Sequence, residues 1–102
     1  MSIIQSTLDI HSPEFRQNAD FHRQLAAELR QQTQKIAQGG SPEARARHER
    51  RGKLLVRDRI ERLLDPGSAW LEIGTLAAWQ VYEDDVPAAG VITGIGRVSG
   101  VE

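Results

Sequence analysis

The sequence predicts an α/β chain in which N-terminal helices are followed by the first strands of an incomplete sheet. Three observations carry this. Residues 12–14 and 41–43 repeat one helix-start signal, Ser-Pro-Glu. Val56, Ile60, Leu63 and Leu64 recur at i, i+4, i+7 and i+8, the spacing of a single helical face. Beyond Ser68 the period drops to two: in Trp70-Leu71-Glu72-Ile73 the apolar Leu71 and Ile73 fall on one side, as in a strand.

Ile3 to His11 shows no periodic pattern and reads as an extended lead-in. At Ser12-Pro13-Glu14 a capping hydroxyl precedes a proline whose missing N–H suits the first helical position, and Glu14 complements the positive helix end. This first helix should run to about Gln38, where Gly39-Gly40 ends it. Its apolar positions are sparse (Phe15, Phe21, Leu25, Leu29, Ile36), so it buries only a narrow stripe. Phe15, His22, Leu29 and Ile36 recur every seven residues, but the companion positions Asn18, Leu25 and Gln32 are mostly polar. An arm packed on a larger body is therefore favoured over a coiled coil. His22 is expected as a partly buried packing residue, since no second ligand stands at i+3 or i+4 for a metal.

Ser41-Pro42-Glu43 opens a second helix, about Pro42 to Arg51, that is almost entirely polar and in which Arg45 and Glu49 are spaced to pair. Gly52 separates it from the amphipathic helix that starts near Val56. Asp65-Pro66-Gly67 stops that helix, because the proline ring disfavours helical geometry at the preceding residue and the glycine permits a turn. Leu76 to Tyr82 fits helix or strand equally. Glu83-Asp84-Asp85 reads as a solvated acidic loop rather than a metal site, because contiguous carboxylates seldom converge on one ion. Gly90 to Val98 is a β-rich run, Ser99-Gly100 a turn, and Val101 the start of a returning strand.

The 102 residues, 39% hydrophobic, suffice for one small domain or part of one. Residues 1–40 form the lead-in and helical arm, and residues 41–102 the beginning of the sheet-bearing domain. Two or three strands cannot bury both faces of a sheet or protect its edges, so the chain reads as the N-terminal piece of a longer protein. Cysteine is absent, which rules out a disulfide framework and thiolate metal sites. No apolar run has the length of a membrane span, Met1 to Ile10 lacks a secretory pattern, and Asp9 precedes the first basic residue, Arg16; the expected location is cytoplasmic.

The net charge of -1 conceals segregation. Residues 45–62 carry eight basic and three acidic groups, whereas residues 63–102 carry one and six. Such a belt can meet an acidic partner, a nucleic acid or ligand phosphates, the last through Arg50, Arg51 and Lys53. Nucleic acid is disfavoured: Glu49, Asp58 and Glu61 interrupt the belt, Arg57 with Glu61 and Asp58 with Arg62 are spaced to neutralise each other, and no aromatic residue is present to stack on bases. Gly90, Gly94 and Gly96 fit neither the dinucleotide fingerprint nor the P-loop. Gly94 and Gly96 share a face, which points to close packing by another element or to a bulge. No residue set has the signature of a catalytic or metal site, so the residues alone assign no catalytic or metal role and no cofactor contact.

The run from Arg51 to Ser68, with Gly-Lys-Leu, Arg-x-Arg-Ile and Leu-Leu-Asp-Pro-Gly-Ser, resembles the N-terminal region of carboxyltransferase (beta) subunits of biotin-dependent acyl-CoA carboxylases. The resemblance extends through Trp70 to Ile73 and Ala88 to Gly100. Ser12-Pro13-Glu14-Phe15, Asn18 and Gly39-Gly40 place it nearer the 3-methylcrotonyl-CoA and geranyl-CoA branch than the propionyl-CoA branch. Val56 stands where that branch often has proline, and Ala89 where it often has glycine. The resemblance implies a crotonase-like fold, of which residues 41–102 begin the carboxyltransferase N-terminal domain. It also implies transfer of a carboxyl group from carboxybiotin, carried on a biotin carboxylase/biotin carrier (alpha) subunit, to an acyl-CoA, within an assembly holding several beta subunits. Backbone N–H pairs stabilise the oxyanions in that chemistry and come from downstream turns, so no residue of this chain takes a catalytic role by matching. The other reading of the same residues is a stand-alone interaction module that binds an acidic partner or nucleic acid through Arg45 to Arg62.

Overall fold

The computed structural model describes residues 2–102, which divide into two compact units, residues 2–32 and 33–102. Helix α1 (Pro13–Ala37) starts where Ser-Pro-Glu predicts. The Ser12 hydroxyl accepts from the Phe15 amide at 3.1 Å and donates to the Asp9 carbonyl at 2.9 Å. Within the first unit, Arg23 pairs with Asp20 at 2.8 Å. Of the expected apolar stripe, Phe15 is half-buried whereas Phe21, Leu25 and Leu29 are exposed. His22 is also exposed, not packed, and stands edge-on to the Phe21 ring with centroids 5.7 Å apart.

The second unit holds the remaining elements: α2 (Pro42–Arg50), α3 (Val56–Leu63), β1 (Trp70–Ile73), a 3-10 segment (Pro87–Gly90) and β2 (Thr93–Gly96). The Ser41 hydroxyl caps α2 by accepting from the Ala44 amide at 3.2 Å. Helix α3 has no side-chain cap, and its apolar face is only half covered, with Ile60 and Leu64 partly buried and Val56 and Leu63 exposed. Asp65 to Ser68 forms a turn closed by the Ser68 amide on the Asp65 carbonyl at 3.0 Å. Pro66 and Gly67, the latter at φ +73°, fill the two central positions as a type II turn demands.

Strands β1 and β2 pair antiparallel, with Trp70 opposite Gly96, Leu71 opposite Ile95, Glu72 opposite Gly94 and Ile73 opposite Thr93. The covered side is the reverse of what the apolar pattern suggests. Leu71 and Ile73 are 61% and 50% exposed, whereas Glu72, on the opposite side, is partly buried. The cause is visible on that side: Trp70 lies across Gly94 and Gly96, and Glu72 meets a cation from α3.

Leu76 to Tyr82 is neither helix nor strand but a series of turns, with Ala78 and Gln80 at positive φ. The β run begins at Thr93 rather than Gly90, because Gly90 (φ +74°) ends the 3-10 segment in left-handed geometry and the ladder with β1 reaches only to Ile73 opposite Thr93. The Ser99-Gly100 turn forms as expected. Val98 pairs with Val101, and both central residues have positive φ, the requirement of a type I′ hairpin turn. Among the described residues only Ile36 and Ala88 are buried apolar groups, and neither is fully so.

Candidate functional site

Two side chains of the central stretch organise the second unit. Arg57, the second residue of α3, donates to the Glu72 carboxylate at 2.6 Å and to the Ile36 and Ala37 carbonyls at 3.4 and 3.2 Å. One guanidinium thus ties the end of α1, helix α3 and strand β1 together, using the planar fork that makes arginine suited to several acceptors at once. Both charged groups are largely covered, with side-chain exposures of 27% and 17%, so the pair is less screened than a surface pair. This differs from the expectation that Arg57 would pair with Glu61 on its own helix. Glu72 offers a drier environment in which the attraction is stronger.

Asp65 is the second organiser. Besides stopping α3, it accepts from the Ser99 and Gly100 amides at 2.6 and 2.8 Å, one on each carboxylate oxygen, while its own amide donates to the Arg97 carbonyl at 2.8 Å. The Asp-Pro-Gly stop and the distant hairpin turn are therefore one structural unit.

Arg57 borders two open recesses. The first, about 420 Å³, is walled by Gly39, Arg45, His48, Asp58, Ala88 and Ile92, among others. Arg45 Nε is covered there without a hydrogen-bond partner, and His48 Nε2 lies 2.9 Å from the Leu54 carbonyl. The second, about 770 Å³, is bordered by Ile60, Leu64, Asp65, Ser68, Trp70 and Glu72. Glu43, at the start of α2, has its carboxyl held below the ordinary value of 4.5, chiefly by a backbone hydrogen bond at the helix start, then by the Ser41 hydroxyl, with a smaller contribution from the Arg45 charge.

The residues singled out from sequence fall in different places. Arg50, Arg51 and Lys53 are all exposed at the end of α2 and beyond it, and none makes an ion pair among the described residues. The expected pairs Arg45 with Glu49 and Asp58 with Arg62 are likewise absent among the described residues. Asp85 of the acidic loop pairs with Lys35 at 3.0 Å, both well exposed. Gly94 and Gly96 are sites of close packing: a Cβ on Gly94 would meet the Trp70 ring and the Leu71 carbonyl oxygen, and one on Gly96 would meet Leu64 and Trp70. The element pressing on them is therefore an aromatic side chain from the neighbouring strand. Among the described residues no group of three His, Cys, Asp or Glu is placed to hold a metal, and no helix is long and apolar enough to cross a membrane.

Residues 47–102 match the family model described as the carboxyl transferase domain. Among curated proteins, the chain is 58% identical over 82 residues to the biotin-dependent 3-methylcrotonyl-coenzyme A carboxylase beta1 subunit of Mycobacterium tuberculosis, covering 80% of this chain and 16% of that protein. It is 42% identical over 100 residues to the mitochondrial methylcrotonoyl-CoA carboxylase beta chain of Arabidopsis thaliana, covering 98% and 17%. Among solved structures it superposes on the beta subunit of P. aeruginosa geranyl-CoA carboxylase with a TM-score of 0.78 at 38% identity, over 96% of this chain and 18% of that one. The chain spans less than a fifth of the length of these relatives.

Proposed function

This chain belongs to the carboxyl transferase domain family, and on that premise we propose that it forms the N-terminal part of the carboxyltransferase (beta) subunit of a biotin-dependent acyl-CoA carboxylase. The whole subunit would move a carboxyl group from carboxybiotin, carried on a partner alpha subunit, to an acyl-CoA such as 3-methylcrotonyl-CoA or geranyl-CoA. The observation that carries this reading is the family match over residues 47–102, joined to the 58% identity with a 3-methylcrotonyl-CoA carboxylase beta subunit.

These residues do not by themselves fit biotin or a CoA thioester. Both recesses are open, and the glycine pair nearest in kind to an oxyanion cradle, Gly94 and Gly96, is roofed by Trp70. No step of the transfer is assigned to this chain, and its part is structural. Arg57 and Asp65 hold the end of α1, helix α3, the two strands and the hairpin turn as one base. Residues 41–102 are read as the beginning of the carboxyltransferase N-terminal domain, and residues 1–40 as an arm for contacts within an assembly of beta subunits. The proposed compartment is the cytoplasm. Because a plant relative is named as mitochondrial, fractionation of the source cells is the check.

The activity is tested by isolating the gene product with an antibody against residues 41–68 and measuring carboxybiotin-dependent transfer to 3-methylcrotonyl-CoA, geranyl-CoA and propionyl-CoA. Transfer to either of the first two in preference to propionyl-CoA is expected. Absence of transfer to all three from a preparation that retains the alpha subunit would defeat the proposal.

A further inference from the structure

We draw no further inference here: the strongest candidate, the recess between α2, α3 and the 3-10 segment where Arg45 Nε is covered without a hydrogen-bond partner, carries nothing because it lies open and, with less than a fifth of the relatives' length in this chain, nothing in the structure shows what covers it.

Discussion

Replacing Asp65 with alanine removes the acceptor of two backbone amides, those of Ser99 at 2.6 Å and Gly100 at 2.8 Å. Hydrogen bonds to a charged group contribute about 1.5–3 kcal/mol each when sheltered. Both of these lie on exposed backbone, where water takes over as partner, so each falls below that range, at about 1 kcal/mol, and the two together contribute about 2 kcal/mol. The loss should appear locally as roughly 30-fold faster hydrogen exchange at the Ser99 and Gly100 amides. Amides of the β1–β2 ladder serve as the internal reference. Asp65→Asn sharpens the test, because its amide group keeps one acceptor oxygen and turns an N–H toward the other donor. One of the two backbone amides should keep most of its protection and the other lose it. Exchange within about twofold of the native chain at both amides in Asp65→Ala would refute the claim that this carboxylate anchors the hairpin.

Arg57→Ala leaves Glu72 without its partner. A cost of about 2 kcal/mol in chemical denaturation is expected, below the 3–5 kcal/mol of a fully buried pair because both groups keep some solvent, and Arg57→Lys should recover little of it. Gly94→Ala forces a methyl group against the Trp70 ring and the Leu71 carbonyl and should cost about 1–3 kcal/mol, visible as a shifted tryptophan emission and a lower midpoint. Two substitutions should stabilise. Val56→Pro acts at the first residue of α3, after a Leu55 already extended (φ -61°, ψ +153°), and Ala89→Gly relieves left-handed geometry at φ +52°; each should add about 0.5–1 kcal/mol by the same denaturation measurement. The depressed Glu43 carboxyl stabilises α2 at pH values above its unfolded pKa, and this contribution disappears as pH falls through the lower folded value. Helical signal in the native chain should therefore drop below pH 4.5 more than in Glu43→Gln.

Much of the fold is legible in the sequence where the chemistry is local. Ser-Pro-Glu at residues 12 and 41, Asp-Pro-Gly at 65 and Ser-Gly at 99 each place a boundary, because capping hydroxyls, fixed proline geometry and permissive turn residues act within a few positions of themselves. The departures come from interactions across longer separations. Arg57 has an acceptor available four residues away at Glu61 but takes Glu72, fifteen residues away and better sheltered. Asp65 binds amides 34 and 35 residues distant, and a helix-stop motif carries no mark of that second role. The covered side of β1 follows from where Trp70 and Arg57 reach, which an alternating apolar pattern cannot convey. Leu76 to Tyr82 is organised in part by the Ala89 amide donating to the Ala77 carbonyl at 3.0 Å, again a contact outside its own window.

The unpaired cations of α2 illustrate the same limit from the other side. Helical spacing shows which charges could pair, but competition with solvent decides which do, and exposed pairs gain little. The basic belt thus looks self-neutralising as a sequence and is largely open as a structure. For the departures from the family pattern, the structure supplies reasons that sequence comparison lacks. Val56 occupies the first position of α3, where proline is favourable, and Ala89 occupies a left-handed position, where glycine is favourable.

The central claim, that these residues are the base of a carboxyltransferase subunit, is tested most directly by the intact mass of the gene product in its own cells, detected with the antibody against residues 41–68. The account predicts a product several times heavier than 11.4 kDa, in keeping with a chain that spans less than a fifth of its relatives. A single product at 11.4 kDa would contradict it and favour the stand-alone interaction module.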